Sequence, residues 1–278
     1  MKPALLAAAL LLLAAAPVPA ADTPDSAAGT FRSQAVTLNV RSAIAFRGRS
    51  FVDKSDAVIV VMSNARLNPD SIADYVDRRR IVERRIRSDE NGVVYFEFKP
   101  DGAYRGISYY FAPGNGCGYC TGDVTSNTRL AGDKLSGKLT AAEKERSFDL
   151  TFATPIMTDD HGAPLPADGG APGQAYLAYH AALARADRPA LLPTLSRDQQ
   201  QYWAEVERKG KLGAWLDAMA EAHPTKSVEI VKGYATASKA VLLIAGNASS
   251  GKVEGEVLLL REGDAWHVDD EITESARR

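Results

Sequence analysis

The chain has 278 residues, of which 45% are hydrophobic and 24% charged, and its formal net charge is −2 at pH 7. This composition is that of globular proteins and argues against wholesale disorder, and the length is enough for two domains of roughly 150 residues. Because the chain as a whole carries no basic field, its charge does not point to nucleic acid or to an anionic membrane surface as a partner.

The N-terminus has the pattern of a secretory signal peptide. Lys2 supplies a positive n-region, Ala4 to Ala16 form an apolar run, and small residues precede a cleavage position after Ala20. The apolar run is shorter than the roughly 20 residues of a membrane-spanning helix, and no cysteine lies near the cleavage position to carry a lipid. We therefore expect residues 1–20 to be removed on export and the mature protein to be periplasmic or secreted, without a stable membrane anchor.

Residues 21–34 are small and polar and predict a flexible lead-in, whereas residues 35–156 contain mainly strand patterns. The clearest hairpin signal is KPDG between VVYFEF and AYRGISYYF, and it places Val94, Phe96 and Phe98 on one face. Between the strands, NPDSIADYV predicts a short helix. We predict a β-sandwich-like domain, or a partly open barrel, with one short helix.

Residues 157–173 carry three prolines and four glycines without an apolar period, which is typical of a linker between domains. Residues 174–274 then show two helical patterns followed by strand patterns that end in DAWHVDDEI. The whole chain is therefore predicted to be α+β.

The two helical patterns of the C-terminal unit carry most of its aromatic residues. In the first, Tyr176 and His180 are spaced i, i+4 and share a face that Tyr179 borders. The second, RDQQQYWAEVERKGKLGAWLDAMAEAH, carries Trp203 and Trp215 on either side of a bend that the glycine of ERKGKL favours.

The order of the helices, the opening PGQAYLAYHAAL and the closing strand REGDAWHVDDE resemble the nuclear-transport-factor-2-like superfamily over residues 172–272. The resemblance implies a curved antiparallel sheet that wraps around helices and forms a cone. Tyr176, Tyr179, Trp203 and Trp215 are then residues of the pocket or of the core, and the core is the commoner role. The superfamily includes isomerases, dehydratases, polyketide cyclases and many non-enzymatic ligand binders, so the fold does not select a function.

Cys117 and Cys120 are the only cysteines, within GNGCGYCTGD. A thiol redox centre needs a thiol of lowered pKa, which a helix N-terminus normally supplies, but this sequence is rich in glycine and is not helical. A tetrahedral zinc site would need two further ligands. In an oxidising compartment we expect a structural disulfide that fixes a glycine-rich loop, with redox and metal-binding roles as alternatives.

The run DRRRIVERRIR, residues 77–87, holds six arginines interleaved with acidic residues. It has no aromatic residues that would stack on bases. It predicts a solvated face or an interdomain contact, and a phosphate or nucleic-acid patch is the alternative.

The four histidines are too scattered for a metal site, and no catalytic-triad order, phosphate-binding loop or dinucleotide fingerprint is present. His180, on the inward face of the first helix, is the candidate general base, although an inward histidine is more often hydrogen-bonded to a neighbour. The acidic run Asp269, Asp270 and Glu271 could pair for acid–base work, but acids at the end of a strand are usually solvated.

Two strand patterns, VLLI at residues 241–244 and VLLL at residues 257–260, are apolar at consecutive positions. A strand with one face in water alternates instead, so both faces of this part of the sheet should be buried. One face would cover the helices, and the other would meet the first domain, a second copy of the chain or a partner protein.

From the sequence we expect an exported, non-enzymatic binding or interaction protein of the cell envelope, whose cone holds a small apolar ligand without a cofactor or metal. The alternative is an isomerase, dehydratase or hydrolase that uses the cone, with His180 as the base. A thiol–disulfide redox protein that acts through Cys117 and Cys120 is a third hypothesis.

Overall fold

The computed structural model describes residues 26–33, 36–86, 91–111, 115–120, 122–214, 216, 219, 223, 224, 226–249 and 251–276. The predicted signal peptide and residues 21–25 and 34 of the predicted lead-in lie outside these ranges. The rest of the lead-in is not the predicted flexible segment, because residues 27–33 form a strand that pairs within the first sheet. The described residues form an α+β architecture with a ten-stranded mixed sheet and a five-stranded antiparallel sheet. No helix among them combines the length and the apolar character that crossing a membrane requires.

The ten-stranded sheet comes from the N-terminal half of the chain. Its strands are β1 (Ala27–Ser33), β2 (Val36–Val40), β3 (Ser42–Arg49), β4 (Asp56–Ser63), β5 (Gly92–Phe98), β6 (Tyr104–Phe111), β7 (Asn115–Cys120), β8 (Thr125–Ala131), β9 (Lys134–Ala142) and β10 (Arg146–Met157). Their order is β2-β1-β10-β3-β4-β5-β6-β7, with β9 also paired to β10 and β8 to β9. The sheet is continuous because β10 pairs with β1 and β9 along most of its length and its last residues, Ile156 and Met157, pair in parallel with β3.

This curled sheet has an aromatic core on its inner side. Phe148 packs against Phe31 and Phe96, with ring centroids 5.5 and 5.6 Å apart. The predicted hairpin is confirmed, because β5 and β6 pair across KPDG and Val94, Phe96 and Phe98 all lie in this core. The turn signal of KPDG and the i, i+2 spacing of Val94, Phe96 and Phe98 made this hairpin predictable from the sequence.

The segment NPDSIADYV does not form the predicted short helix. Pro69–Ser71 is a single 3-10 turn, and the helix of this region is α1 (Arg78–Ile86), inside the arginine-rich run. In a helix that continued through Val76, the backbone N–H of that residue would bond to the carbonyl four residues earlier. The carboxylate of Glu256 instead accepts the N–H groups of Val76 and Asp77, at 2.8 and 2.6 Å.

Two arginines of α1 connect distant parts of the chain. Arg78 is 1% exposed and its guanidinium donates to Asp159, in the predicted linker, at 2.7 Å. Arg80 forms ion pairs with Glu254 and Glu274 of the second sheet, at 2.9 and 3.1 Å. Of the two roles predicted for the arginine-rich run, these residues fit the interdomain contact.

The five-stranded sheet comes from the C-terminal half and has the order β11-β12-β13-β14-β15. Its strands are β11 (Ala163–Pro164), β12 (Ser227–Ala235), β13 (Lys239–Ala248), β14 (Gly251–Glu262) and β15 (Ala265–Ser275). The helices of this half are α2 (Gly170–Ala184), α3 (Arg188–Leu191) and α4 (Arg197–Arg208). The predicted linker therefore contains a strand and the start of a helix.

The second predicted helix is interrupted where a bend was expected. Helix α4 begins at the N-cap Ser196, whose hydroxyl accepts the N–H of Gln199. After it, Gly210 has a φ of +67°, a left-handed conformation that favours glycine. Residues 212–214 are helical again.

The second sheet has apolar contacts on both faces. On one face, Tyr176, Tyr179 and Trp203 of the helices form a core with the strands. On the other face, Leu258 and Ile272 belong to an apolar cluster formed mainly by β3–β5, the turn after β4 and α1. The consecutive apolar residues of β14 thus contact the helices on one side and the N-terminal half of the chain on the other.

Candidate ligand-binding cleft

A cleft of about 340 Å³ lies along β15, the edge strand of the second sheet. Its apolar wall includes Tyr202 and Trp203 of α4 and Tyr179 of α2. Its polar wall is the acidic run of β15, and His223 and the α1 residue Arg84 also line it. The cleft therefore lies where the helices, the second sheet and the N-terminal half of the chain meet.

A β-bulge in β15 creates the polar wall. Val268 pairs with Leu259 and Asp270 pairs with Leu258, so Asp269 is an extra residue without a partner in β14. In a regular strand Val268 and Ile272 would face the same way, but they lie in apolar clusters on opposite faces of the sheet. Bulges re-aim side chains in this manner and recur beside functional sites.

Neutral hydroxyl groups hold the first two acids of the run. Asp269 accepts a hydrogen bond from the hydroxyl of Ser196 at 2.6 Å, and Asp270 accepts one from the hydroxyl of Tyr75 in the N-terminal half. Burial raises the pKa of Asp269, and the bond from Ser196 partly opposes this rise. Neither hydroxyl carries a charge that would neutralise the carboxylates.

Glu271 is the deepest acid of the cleft, and its side chain is 2% exposed. Its Oε1 atom accepts a hydrogen bond from the hydroxyl of Tyr176 at 3.0 Å. Its Oε2 atom lies 2.8 Å from Nδ1 of His223, off the line of an aligned hydrogen bond. The prediction that acids of this run are solvated is wrong for Glu271, because β15 continues to Ser275 and carries this side chain inwards.

The side chain of His223 is buried, and its Nδ1 atom makes no aligned hydrogen bond with any described residue. Its side chain is 7% exposed, and the carboxylate beside Nδ1 favours the tautomer that carries its proton there. The carboxylate of Glu271, whose Oε2 atom has no aligned donor among the described residues, keeps lone pairs for a donor in the cleft.

The two tyrosines beside Glu271 stay protonated at ordinary pH. Burial raises the pKa of Tyr176 and of Tyr179 well above the usual value for a tyrosine, and the negative charge of Glu271 raises both further. They act as neutral phenols, not as bases.

The residues predicted for the cone are divided among different places. Tyr179 and Trp203 line the cleft, whereas Tyr176 is fully buried and contacts it through Glu271. His180, the predicted base, is not among the lining residues; its Nε2 atom lies 2.7 Å from the backbone carbonyl oxygen of Pro224. Trp215 lies outside the described residues.

Cys117 and Cys120 form a disulfide in β7, at the edge of the first sheet. Cys117 pairs with Tyr109 and Cys120 with Ile107, so the disulfide spans a bulge in which β7 has one more residue than β6. The described residues that follow, 122–124, are not helical. This surrounding differs from the helix N-terminus that lowers a thiol pKa in redox centres.

The sequence did not single out His223 and Glu271 as a pair. Their signals were a histidine directly before the proline that ends the second helical pattern and the last acid of an acidic run, directly before an apolar residue of the strand. Within the described ranges, no group of three or more His, Cys, Asp or Glu side chains could hold a metal ion. Neither a protein-family model nor a curated protein matches the chain.

Proposed function

We propose that this protein is an exported, non-enzymatic binding protein whose C-terminal half is a cone of the nuclear-transport-factor-2-like kind and holds a small ligand in the cleft along β15. The observation that carries this proposal is an aromatic wall opposite convergent buried polar groups. Trp203 and Tyr202 form one side, and Glu271 and His223 lie on the other.

The size and composition of the cleft support the proposal. Small-molecule sites measure about 300–1,000 Å³ and combine apolar or aromatic walls with few polar groups, and this cleft has about 340 Å³. The signal-peptide pattern and a disulfide are those of a protein folded in an oxidising compartment. The N-terminal β-rich half would then support the cleft through Tyr75 and α1.

The alternative is an acid–base enzyme, an isomerase, dehydratase or hydrolase, and one observation favours it. A general base is commonly a histidine that a carboxylate orients, and Glu271 lies 2.8 Å from His223 inside a cleft. In this alternative the base is His223 and not His180, whose ring is beside a backbone carbonyl.

Native mass spectrometry of the protein purified from its host tests the binding function. We expect a small molecule that stays bound under native conditions and is released on unfolding. The variant Tyr202→Ala should lose it, because Tyr202 lines the cleft and is 49% exposed, so its removal leaves the fold intact. The matched control is Tyr119→Ala, which removes an exposed tyrosine of β7 and should retain the ligand.

The same experiment separates the hypotheses. A wild-type protein that carries no small molecule and shows no saturable response of its tryptophan fluorescence to a metabolite library would refute the binding function. If the wild type converts a member of the library and the variant His223→Gln does not, the enzyme alternative replaces the binding function.

A further inference from the structure

We infer that the ligand of this cleft is an organic cation, an ammonium group on an aromatic or apolar body. This inference rests on the proposed function and adds the charge of the ligand. Three features of the cleft support it: the charges of its lining, a buried atom without a hydrogen-bond partner at its base, and its aromatic wall.

The fixed charges of the lining are mainly negative. Asp269, Asp270 and Glu271 contribute three carboxylates, and Arg84, which is exposed, contributes one guanidinium. These four groups sum to a net charge of −2. An anion placed here would be repelled inside a partly desolvated site, where charges interact more strongly than in water.

The hydroxyl groups that contact the carboxylates are not free to donate to a ligand. The hydroxyl groups of Ser196, Tyr75 and Tyr176 already donate to the three carboxylates. Oε2 of Glu271, whose side chain is 2% exposed, accepts no aligned hydrogen bond from the described residues. A buried polar group without a partner normally has an explanation in function, and a ligand that donates hydrogen bonds supplies one here.

The aromatic wall completes the match with an organic cation. Tyr202 and Trp203 line the cleft and give an apolar body an aromatic surface to contact. The face of an aromatic ring also attracts a cation within about 6 Å of its centroid. An ammonium group attached to such a body would reach the carboxylates while the body stays on the wall.

Three probes of similar size and different charge test the inference by isothermal titration calorimetry on the full mature protein: 2-phenylethylamine, 2-phenylethanol and 3-phenylpropionate. We expect the amine, charged at pH 7, to bind at least tenfold more tightly than the alcohol, and the acid to bind more weakly than either. Asp269→Asn and Asp270→Asn should each weaken amine binding about tenfold, the effect of one charge-assisted hydrogen bond. Binding of the alcohol should stay within about twofold in both variants.

The matched control is Asp133→Asn, in the exposed turn between β8 and β9, which should bind all three probes like the wild type. Circular dichroism verifies that each variant is folded.

If the alcohol or the acid binds as tightly as the amine, or if both aspartate variants keep full affinity for the amine, the cation inference is wrong and the binding function stands. If no probe binds, the charge of the molecule that co-purifies decides: a basic molecule supports the inference, and a neutral or acidic one overturns it. Absence of both overturns the inference together with the binding function.

Discussion

The second sheet has two buried glutamates, Glu256 in β14 and Glu271 in β15. They contact opposite parts of the molecule and differ in how completely their carboxylates are hydrogen-bonded. Glu256 is 1% exposed and faces the N-terminal half, where both of its oxygens accept backbone N–H groups. Glu271 faces the helices, where Oε1 accepts one hydroxyl and Oε2 has no aligned donor. Burial is similar, but hydrogen bonding is complete in one case and incomplete in the other.

This difference separates a structural role from a binding role. Buried polar groups in folded proteins are nearly always satisfied, and Glu256 follows that rule at the junction of the two halves. Oε2 of Glu271, beside His223 at the base of a cleft, accepts no aligned hydrogen bond. We attribute the first to the stability of the interface and the second to a ligand.

The largest expected effect is on the interface side. Glu256→Ala leaves the N–H groups of Val76 and Asp77 without their carboxylate acceptor at the junction of the two halves, and we expect the free energy of unfolding to fall by about 3 kcal/mol. Urea denaturation followed by circular dichroism measures this change. The control is Glu254→Ala, two residues earlier in β14, because that side chain is 40% exposed and its ion pair with Arg80 should contribute about 1 kcal/mol or less. Equal losses in the two variants would contradict the role of Glu256.

A smaller effect on stability is expected on the cleft side. Glu271→Gln keeps the size of the side chain and an oxygen for the hydroxyl of Tyr176, so we expect a loss of about 1 kcal/mol or less. Affinity for 2-phenylethylamine should fall about tenfold, because the deepest negative charge of the cleft is removed. Glu229→Gln, exposed on β12, should change neither quantity. A large loss of stability with unchanged affinity would assign Glu271 to the core and not to a site.

The sequence predicted the features of the fold that depend on local patterns. The hairpin β5–β6 follows from the turn signal KPDG and the i, i+2 spacing of the apolar residues before it, and the break after α4 follows from Gly210. Both are determined within a few neighbouring residues, where turn geometry and side-chain periodicity decide the structure. The α+β class followed from the same local patterns.

What the sequence could not give depends on residues far apart in the chain. The helix expected in NPDSIADYV is replaced by a 3-10 turn and a later helix, because Glu256 engages the N–H of Val76 from 180 positions away. The bulge at Asp269 is a matter of register between β14 and β15, and alternation counted along one strand does not reveal it. The same bulge turned an acid expected in solvent, Glu271, into a buried one.

The smallest effect expected is a dependence of stability on pH that distinguishes the interface glutamate. Burial raises the pKa of Glu256 above its ordinary 4.5, although the backbone N–H groups of Val76 and Asp77 act in the opposite direction. A carboxyl with a higher pKa in the folded than in the unfolded state binds its proton more tightly when folded. Its contribution to the free energy of unfolding is therefore fully present below the unfolded pKa and is lost as the pH rises through the folded pKa.

Glu256→Gln removes this titration and keeps one acceptor oxygen. The stability of the wild type relative to this variant should therefore decrease as the pH rises above 4.5, the ordinary pKa of a glutamate, as measured by urea denaturation at a series of pH values. Subtracting the variant also cancels the contribution of Asp269, whose pKa is raised in the same direction. A difference that stays constant or grows with pH would mean that the hydrogen bonds from Val76 and Asp77 outweigh burial. The folded state would then favour the charged form of Glu256, because the two N–H groups would stabilise the carboxylate more than desolvation destabilises it.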